Sequence, residues 1–179
     1  TSTRSSAPAP PKALADLRAL VAELVRGRVE FVVIGGVAAA LRGAPVTSLE
    51  LEVVPARDAA NAERLQRALT ALRAHYRGHP DVAPTTVELQ RPGHHLLLTS
   101  AGPLDMLGVA VGERDFERLR PCSDLLPLGD GLEARVLRLD EIIAMKEQLG
   151  REKDLAALPM LRSALRLTKR RNDDLPSRA

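Results

Sequence analysis

The chain has 179 residues, of which 45% are hydrophobic and 27% charged, with a formal net charge of +3. That size suits one compact domain whose apolar core needs no disulfide or structural metal to hold it. With Phe31, Phe116 and Tyr76 as its only aromatics, the chain lacks the platform on which readers of single-stranded nucleic acid stack bases. A single cysteine, Cys122, excludes a disulfide framework and a cysteine-rich zinc site, and it is expected in a partly buried loop without a role. No apolar run approaches the roughly 20 residues of a membrane helix, and no membrane partner is expected. The N-terminal segment lacks a basic-then-apolar secretory pattern, so the expected compartment is the cytoplasm. The modest positive charge tolerates a phosphate-bearing partner without demanding one.

Residues 1–11 are rich in Ser, Ala and Pro and read as a disordered tail. From Lys12 to Arg26, apolar residues at Leu14, Leu17, Leu20, Val21, Leu24 and Val25 keep helical spacing. The β-branched run Val29–Ile34 reads as a buried strand. It meets Gly35-Gly36 and passes into a short Ala-rich helix over Val37–Arg42, stopped by Gly43 and Pro45. Leu49–Val54 alternates with period 2, placing Glu50 and Glu52 on one face of a strand that Pro55 closes. Asp58 is expected to cap a helix through Tyr76, with Leu65, Leu69 and Leu72 toward the core.

Two strands are then expected, Thr85–Gln90 and His94–Thr99, joined by a turn at Pro92-Gly93. Leu104–Leu107 follows the Gly102-Pro103 break as a short strand, and Glu113–Leu119 reads as a helical turn. Leu132–Leu137 is a further strand, and Asp140 is expected to cap a helix to Leu149. Gly150 interrupts before a second helix from Asp154 to about Leu167, and Lys169-Arg170-Arg171 reads as a frayed basic tail. The chain shows no internal repeat. The domain plan is a core over residues 12–138, a helical part of the same domain over 139–171, and a tail over 172–179. The order of elements gives an α/β or α+β class.

One stretch carries chemistry. Between Phe31 and Val54 a buried strand enters Gly35-Gly36 at a helix start, and a second strand carries Glu50 and Glu52. Glycines let a backbone approach a phosphate, and a helix start supplies free N–H groups. Two carboxylates on one strand face lie close enough to share a divalent cation. A phosphate pocket facing a carboxylate pair suits metal-assisted nucleotidyl transfer.

The runs Ile34-Gly35-Gly36-Val37-Ala38-Ala39-Ala40-Leu41-Arg42-Gly43 and Ser48-Leu49-Glu50-Leu51-Glu52-Val53-Val54 resemble the nucleotidyltransferases of the DNA polymerase β superfamily. The branch they resemble is the AbiEii/AbiGii type, which includes toxins of toxin–antitoxin systems. There a Gly-Gly or Gly-Ser opens a helix, a Thr-x-Asp-x-Asp strand follows, and a third acid lies on a later strand. Asp105 in Gly102-Pro103-Leu104-Asp105-Met106-Leu107 matches that acid. The run Leu139–Lys146, followed by Gly150-Arg151-Glu152-Lys153-Asp154-Leu155, resembles the branch's helical Lys before a Lys-Asp pair. The resemblance spans about residues 30–165.

It implies a minimal nucleotidyltransferase fold, a small mixed sheet flanked by helices with a helical C-terminal part. It also implies transfer of a nucleoside monophosphate from an NTP such as ATP to an acceptor hydroxyl. Gly35, Gly36, Ser48 and Lys146 would hold the triphosphate. Glu50, Glu52 and Asp105 would bind Mg2+ or Mn2+, Asp105 would also deprotonate the acceptor, and Lys146 would neutralise phosphate charge. The acceptor would be RNA, such as a tRNA end, or a protein hydroxyl, and an antitoxin protein would be a further partner. The chain departs from the family where Glu50 and Glu52 replace both aspartates and Ser48 the threonine. Each carboxylate is thereby moved by roughly 1 Å, enough to cost on the order of a hundredfold in rate. A degenerate, non-catalytic binding module of the same fold, or an enzyme that modifies a small molecule such as an antibiotic, are the alternatives.

Each motif has a simpler local reading. Gly35-Gly36 also suits a tight strand-to-helix turn, Glu50/Glu52 a solvated strand face, and Asp105 a turn cap. Lys146 would pair with Glu141 or Glu147, and Asp154 would cap a helix. His94 and His95 point to opposite strand faces, so at most one joins a site, and both are expected at the surface. His75 and His79 are expected near a helix end. Arg166, Lys169, Arg170 and Arg171 suit an RNA backbone or a solvated tail.

Overall fold

The structure is a computed structural model and describes residues 16–173. The expected tail over 1–11 lies outside the described residues, as do 174–179. Among the described residues are seven α-helices and seven strands in one mixed sheet. The helices are α1 Leu17–Arg26, α2 Gly35–Leu41, α3 Ala59–Ala71, α4 Thr86–Leu89, α5 Phe116–Leu119, α6 Leu139–Leu149 and α7 Glu152–Asp173. The strands are β1 Phe31–Ile34, β2 Leu51–Pro55, β3 His75–Tyr76, β4 His94–Thr99, β5 Gly102–Leu107, β6 Ser123–Gly129 and β7 Leu132–Leu137, in the order β3-β4-β5-β2-β1-β7-β6.

β1 lies near the middle and all four of its residues are buried, which is why it reads as an unbroken apolar run with no alternation. It pairs antiparallel with β2, Ile34 opposite Glu52, and parallel with β7. β2 pairs parallel with β5, and this register sets Glu52 opposite Asp105. β4 alternates exposed and buried residues along its whole length, as a strand with one solvated face must. α1 packs on α3 and the sheet, while α2 packs against β1, β2 and α6. α7 folds back on α6 after Gly150, which takes the left-handed conformation at φ 61° and ends the helix as glycine commonly does. Among the described residues no helix is long and apolar enough to cross a membrane.

Several elements differ from expectation. Thr85–Gln90 is no strand: the Thr85 hydroxyl accepts from the Glu88 N–H while the Glu88 carboxylate accepts from the Thr85 N–H. That reciprocal capping box nucleates α4 and overrides the β-propensity of Thr-Thr-Val. The helix expected to reach Tyr76 ends at Ala71, because Arg73 turns left-handed at φ 51° and the Ala74 N–H closes onto the Leu69 carbonyl. His75 therefore lies in β3 and not at a helix end, and the His79 N–H turns back to the Tyr76 carbonyl.

β6 was not foreseen. It contains Pro127, which is tolerated at a sheet edge where one side of the strand is unpaired. Glu50 lies just before β2, not within a strand. Asp140 sits inside the first turn of α6, with Arg138 at the cap. The basic residues from Lys169 continue α7 to Asp173 where a frayed tail was expected.

Candidate active site

The last residue of β1 runs into Gly35, which adopts φ +65°, and α2 begins there. A side chain at Gly35 would collide with Glu52: an added Cβ would lie 1.7 Å from its Oε2. The Glu52 carboxylate is thus folded against the strand-to-helix turn, where a backbone hydrogen bond from Gly36 favours its ionised form. Gly36 in turn leaves room for Ser48, whose Cβ would lie 3.0 Å from an added Cβ. The Ser48 hydroxyl donates to the Glu50 carbonyl at 2.8 Å, which fixes the bend leading into β2.

These residues line one cavity of about 720 Å³, within the usual range for small-molecule sites. Gly35, Gly36, Ser48, Glu50, Glu52, Asp105 and Lys146, the residues expected to form a site, all line it. β2 and β5 bring the acids together because they are parallel neighbours. α6, the turn after it and the start of α7 add Lys146, Arg151 and Lys153 to the same lining. Leu96, Leu107 and Val109 add an apolar side.

The acids are not equivalent. Burial, then the nearby Glu50 charge, raises the Glu52 carboxyl above its ordinary range against the pull of the Gly36 N–H, Lys146 and Lys153. Burial also raises Asp105, with Glu50 and Glu52 adding to the effect and Arg77 opposing it. The same nitrogen of Arg77, Nη2, contacts Asp105 Oδ1 and lies 3.5 Å from Glu50 Oε2. Glu52 is not among its ion-pair partners. Among the described residues no three acids, histidines or cysteines converge as a ready-made metal cluster.

Lys146 does not pair with Glu141 or Glu147. Its Nζ donates to Asp154 Oδ1 at 2.8 Å, and Arg151 Nε donates to Oδ2 at 2.5 Å. Asp154, expected as a helix cap, is set in the first turn of α7 with its side chain only 2% exposed, and it lines the cavity. Burial pushes its carboxyl up, but the hydrogen bonds from Arg151 and Lys146 outweigh that and hold it below the ordinary value. Asp105 lies in the middle of β5, not at a turn. His94 lines the cavity, with Nε2 2.9 Å from the Val109 carbonyl. His95, expected at the surface, is buried, and its Nδ1 lies 2.8 Å from the Tyr76 hydroxyl. Burial lowers its pKa below the ordinary imidazole value.

Arg77, Arg151 and Lys153 had no role in the sequence reading. Arg151 and Lys153 precede Asp154 in a motif already singled out. No local pattern marks Arg77, because its partners lie across β4 in space.

No family model matches the chain, and no curated protein matches it. The fold is similar to a crystal structure from Thermotoga maritima described as a "putative nucleotidyltransferase", with a TM-score of 0.52. The two are 18% identical, over 80% of this chain and 88% of that one. At that identity the likeness is one of fold. The chain has a nucleotidyltransferase-like α/β fold, as expected.

Proposed function

We propose that the chain is a nucleotidyltransferase that moves a nucleoside monophosphate from an NTP to an acceptor hydroxyl. One observation carries this reading: acids from the adjacent strands β2 and β5 and cations from α6 and α7 line one cavity. Lys146, Arg151 and Lys153 offer positive charge to a triphosphate, and the apolar wall offers a surface to a base. Gly35, Gly36 and Ser48 allow close approach to the backbone.

Glu50 and Asp105 suit a divalent cation. Both are hard oxygen donors, and both already reach a single cationic nitrogen, Arg77 Nη2. Mg2+ or Mn2+ bound there would neutralise the triphosphate and acidify the acceptor hydroxyl. Asp105, which lines the cavity in the middle of β5, would be the base and accept the hydroxyl proton. The acceptor oxygen then bonds to the α-phosphorus, the bond to the β-phosphate oxygen breaks, and pyrophosphate departs toward the cations of α6 and α7. Glu52 would join as a ligand only by turning away from Gly35. The AbiEii/AbiGii-type toxin branch, with an RNA or protein acceptor and an antitoxin partner, is the finer form of this reading.

A second reading is a binding module of the same fold without turnover. It is favoured by Glu52 lying against the α2 backbone while Arg77 holds Glu50 and Asp105. Calorimetric titration of the four NTPs, with Mg2+ and then Mn2+, tests both. Binding that needs metal and vanishes in Glu50→Gln/Glu52→Gln supports the enzyme, and no binding to wild type overturns it. Transfer of labelled nucleotide to RNA, protein or aminoglycoside pools then separates the acceptors.

A further inference from the structure

Arg77 follows the two-residue strand β3, and two hydrogen bonds direct it. Its backbone N–H donates to the Leu96 carbonyl at 3.0 Å, and its Nε donates to the Leu97 carbonyl at 3.3 Å. The side chain is thereby laid across β4. Register places Leu96 opposite Asp105 on β5, so the guanidinium arrives at that carboxylate from the margin of the cavity. Glu50 reaches the same nitrogen from the bend before β2. Asp105 is the more buried of the two acids, its side chain 13% exposed against 44% for Glu50. A carboxylate so placed is costly without a cation beside it.

A guanidinium is permanently charged, has no acceptor and cannot ligate a metal. It and a divalent cation therefore compete for the same oxygens.

We propose that Arg77 is a positioning residue that holds the cation position between Glu50 and Asp105 in the metal-free chain. A divalent cation binds there only by displacing the guanidinium. The inference rests on the reading that Glu50 and Asp105 take a divalent cation. It adds that this chain carries its own competitor, tethered by the Leu96 and Leu97 carbonyls of β4 and shared between the two acids. Once displaced, the guanidinium stays at the cavity margin.

The test is calorimetric titration of MnCl2 alone, without nucleotide, into the full chain as wild type, Arg77→Met, Arg77→Lys and Glu50→Gln. Removing a charged hydrogen-bonding competitor should tighten Mn2+ binding about tenfold in Arg77→Met. Arg77→Lys keeps a cation but is shorter and lacks the Nε donor to Leu97, so its Mn2+ affinity should fall between those of wild type and Arg77→Met. Equal or weaker Mn2+ binding by Arg77→Met, with binding to wild type that Glu50→Gln abolishes, overturns the role of Arg77 and leaves the metal site standing. Absence of Mn2+ binding in all four proteins overturns both. Wild type offers a second readout that needs no folded Met variant. The Arg77 side-chain Nε–H resonance, assigned by its loss in Arg77→Lys, should shift in step with Mg2+ occupancy. A resonance that stays fixed while Mg2+ binds overturns the proposal.

Discussion

The Lys146 ammonium lies 2.8 Å from the carboxylate of Asp154, joining α6 to α7 across the left-handed Gly150. Arg151 completes the pair from the other side. Asp154 is thus the anchor for two of the three cations that face the cavity. Replacing it with Ala leaves both cations without their counter-charge. Both keep access to water, so the cost should fall below that of a fully buried pair, at about 2 kcal/mol, or roughly 6 °C in Tm.

The pH dependence of that loss has a fixed sign. The Asp154 carboxyl is held below its ordinary value of 3.8 in the fold. Its contribution is full above that value and disappears as pH falls through the lower, folded value. Thermal melts of wild type and Asp154→Ala should therefore stay apart from pH 7 to about pH 4 and converge below. A gap that persists undiminished in strong acid would mean that packing, not charge, is lost.

Glu52 has the opposite sign. Its carboxyl is raised above 4.5 by burial and by Glu50, so the folded chain binds this proton more readily than the unfolded one. Stability falls as pH rises from 4.5 through the raised value, and the ionised group is a burden at neutral pH. Glu52→Gln removes it. The variant should melt above wild type at pH 7.5, with the difference closing toward pH 4. A lower melting temperature at pH 7.5 would show that the backbone hydrogen bond from Gly36 outweighs the burial of charge.

How far this site was legible in the sequence follows from the distance over which each part is specified. Gly35-Gly36, Glu50, Glu52 and Asp105 sit in short segments whose local pattern signals a strand, a turn and a helix. The resemblance puts the third acid only on a later strand, and the β2–β5 register that unites them shows in the structure alone. α4 was missed because a four-residue capping box is a side-chain event within a β-rich composition. β6 was missed because Pro127 argues against a strand until its place at the sheet edge is known. Beside its triphosphate role, the local reading offers Lys146 only partners on its own helix, while its actual partner arrives from α7 after a chain reversal. Arg77 was silent because its role depends wholly on which strands lie side by side.

Gly35 and Glu52 make a coupled pair. At φ +65° any L side chain on Gly35 is strained, by about 1 kcal/mol, and its Cβ would also meet the Glu52 carboxylate. Gly35→Ala should therefore cost about 2 kcal/mol in wild type but only about 1 kcal/mol in a Glu52→Ala background, where the strain alone remains. Denaturant unfolding of the four proteins in this cycle measures the difference. Equal costs in both backgrounds would mean that the Glu52 side chain swings aside freely and is not held against the turn.

Lys146 separates the binding role of the site from its structural one. Its side chain is 22% exposed and lines the cavity. Arg151 keeps Asp154 paired without it. Lys146→Gln is one atom shorter but keeps an N–H donor on the side of Asp154, and Arg151 still pairs that carboxylate, so the fold should lose no more than about 1 kcal/mol. A charged contact to a phosphate would be gone, and NTP affinity should fall about tenfold in the presence of Mg2+. The matching nucleoside, which has no phosphates, should bind the variant and wild type alike. If the affinities for nucleoside and triphosphate fall together, Lys146 shapes the cavity and does not meet the phosphates.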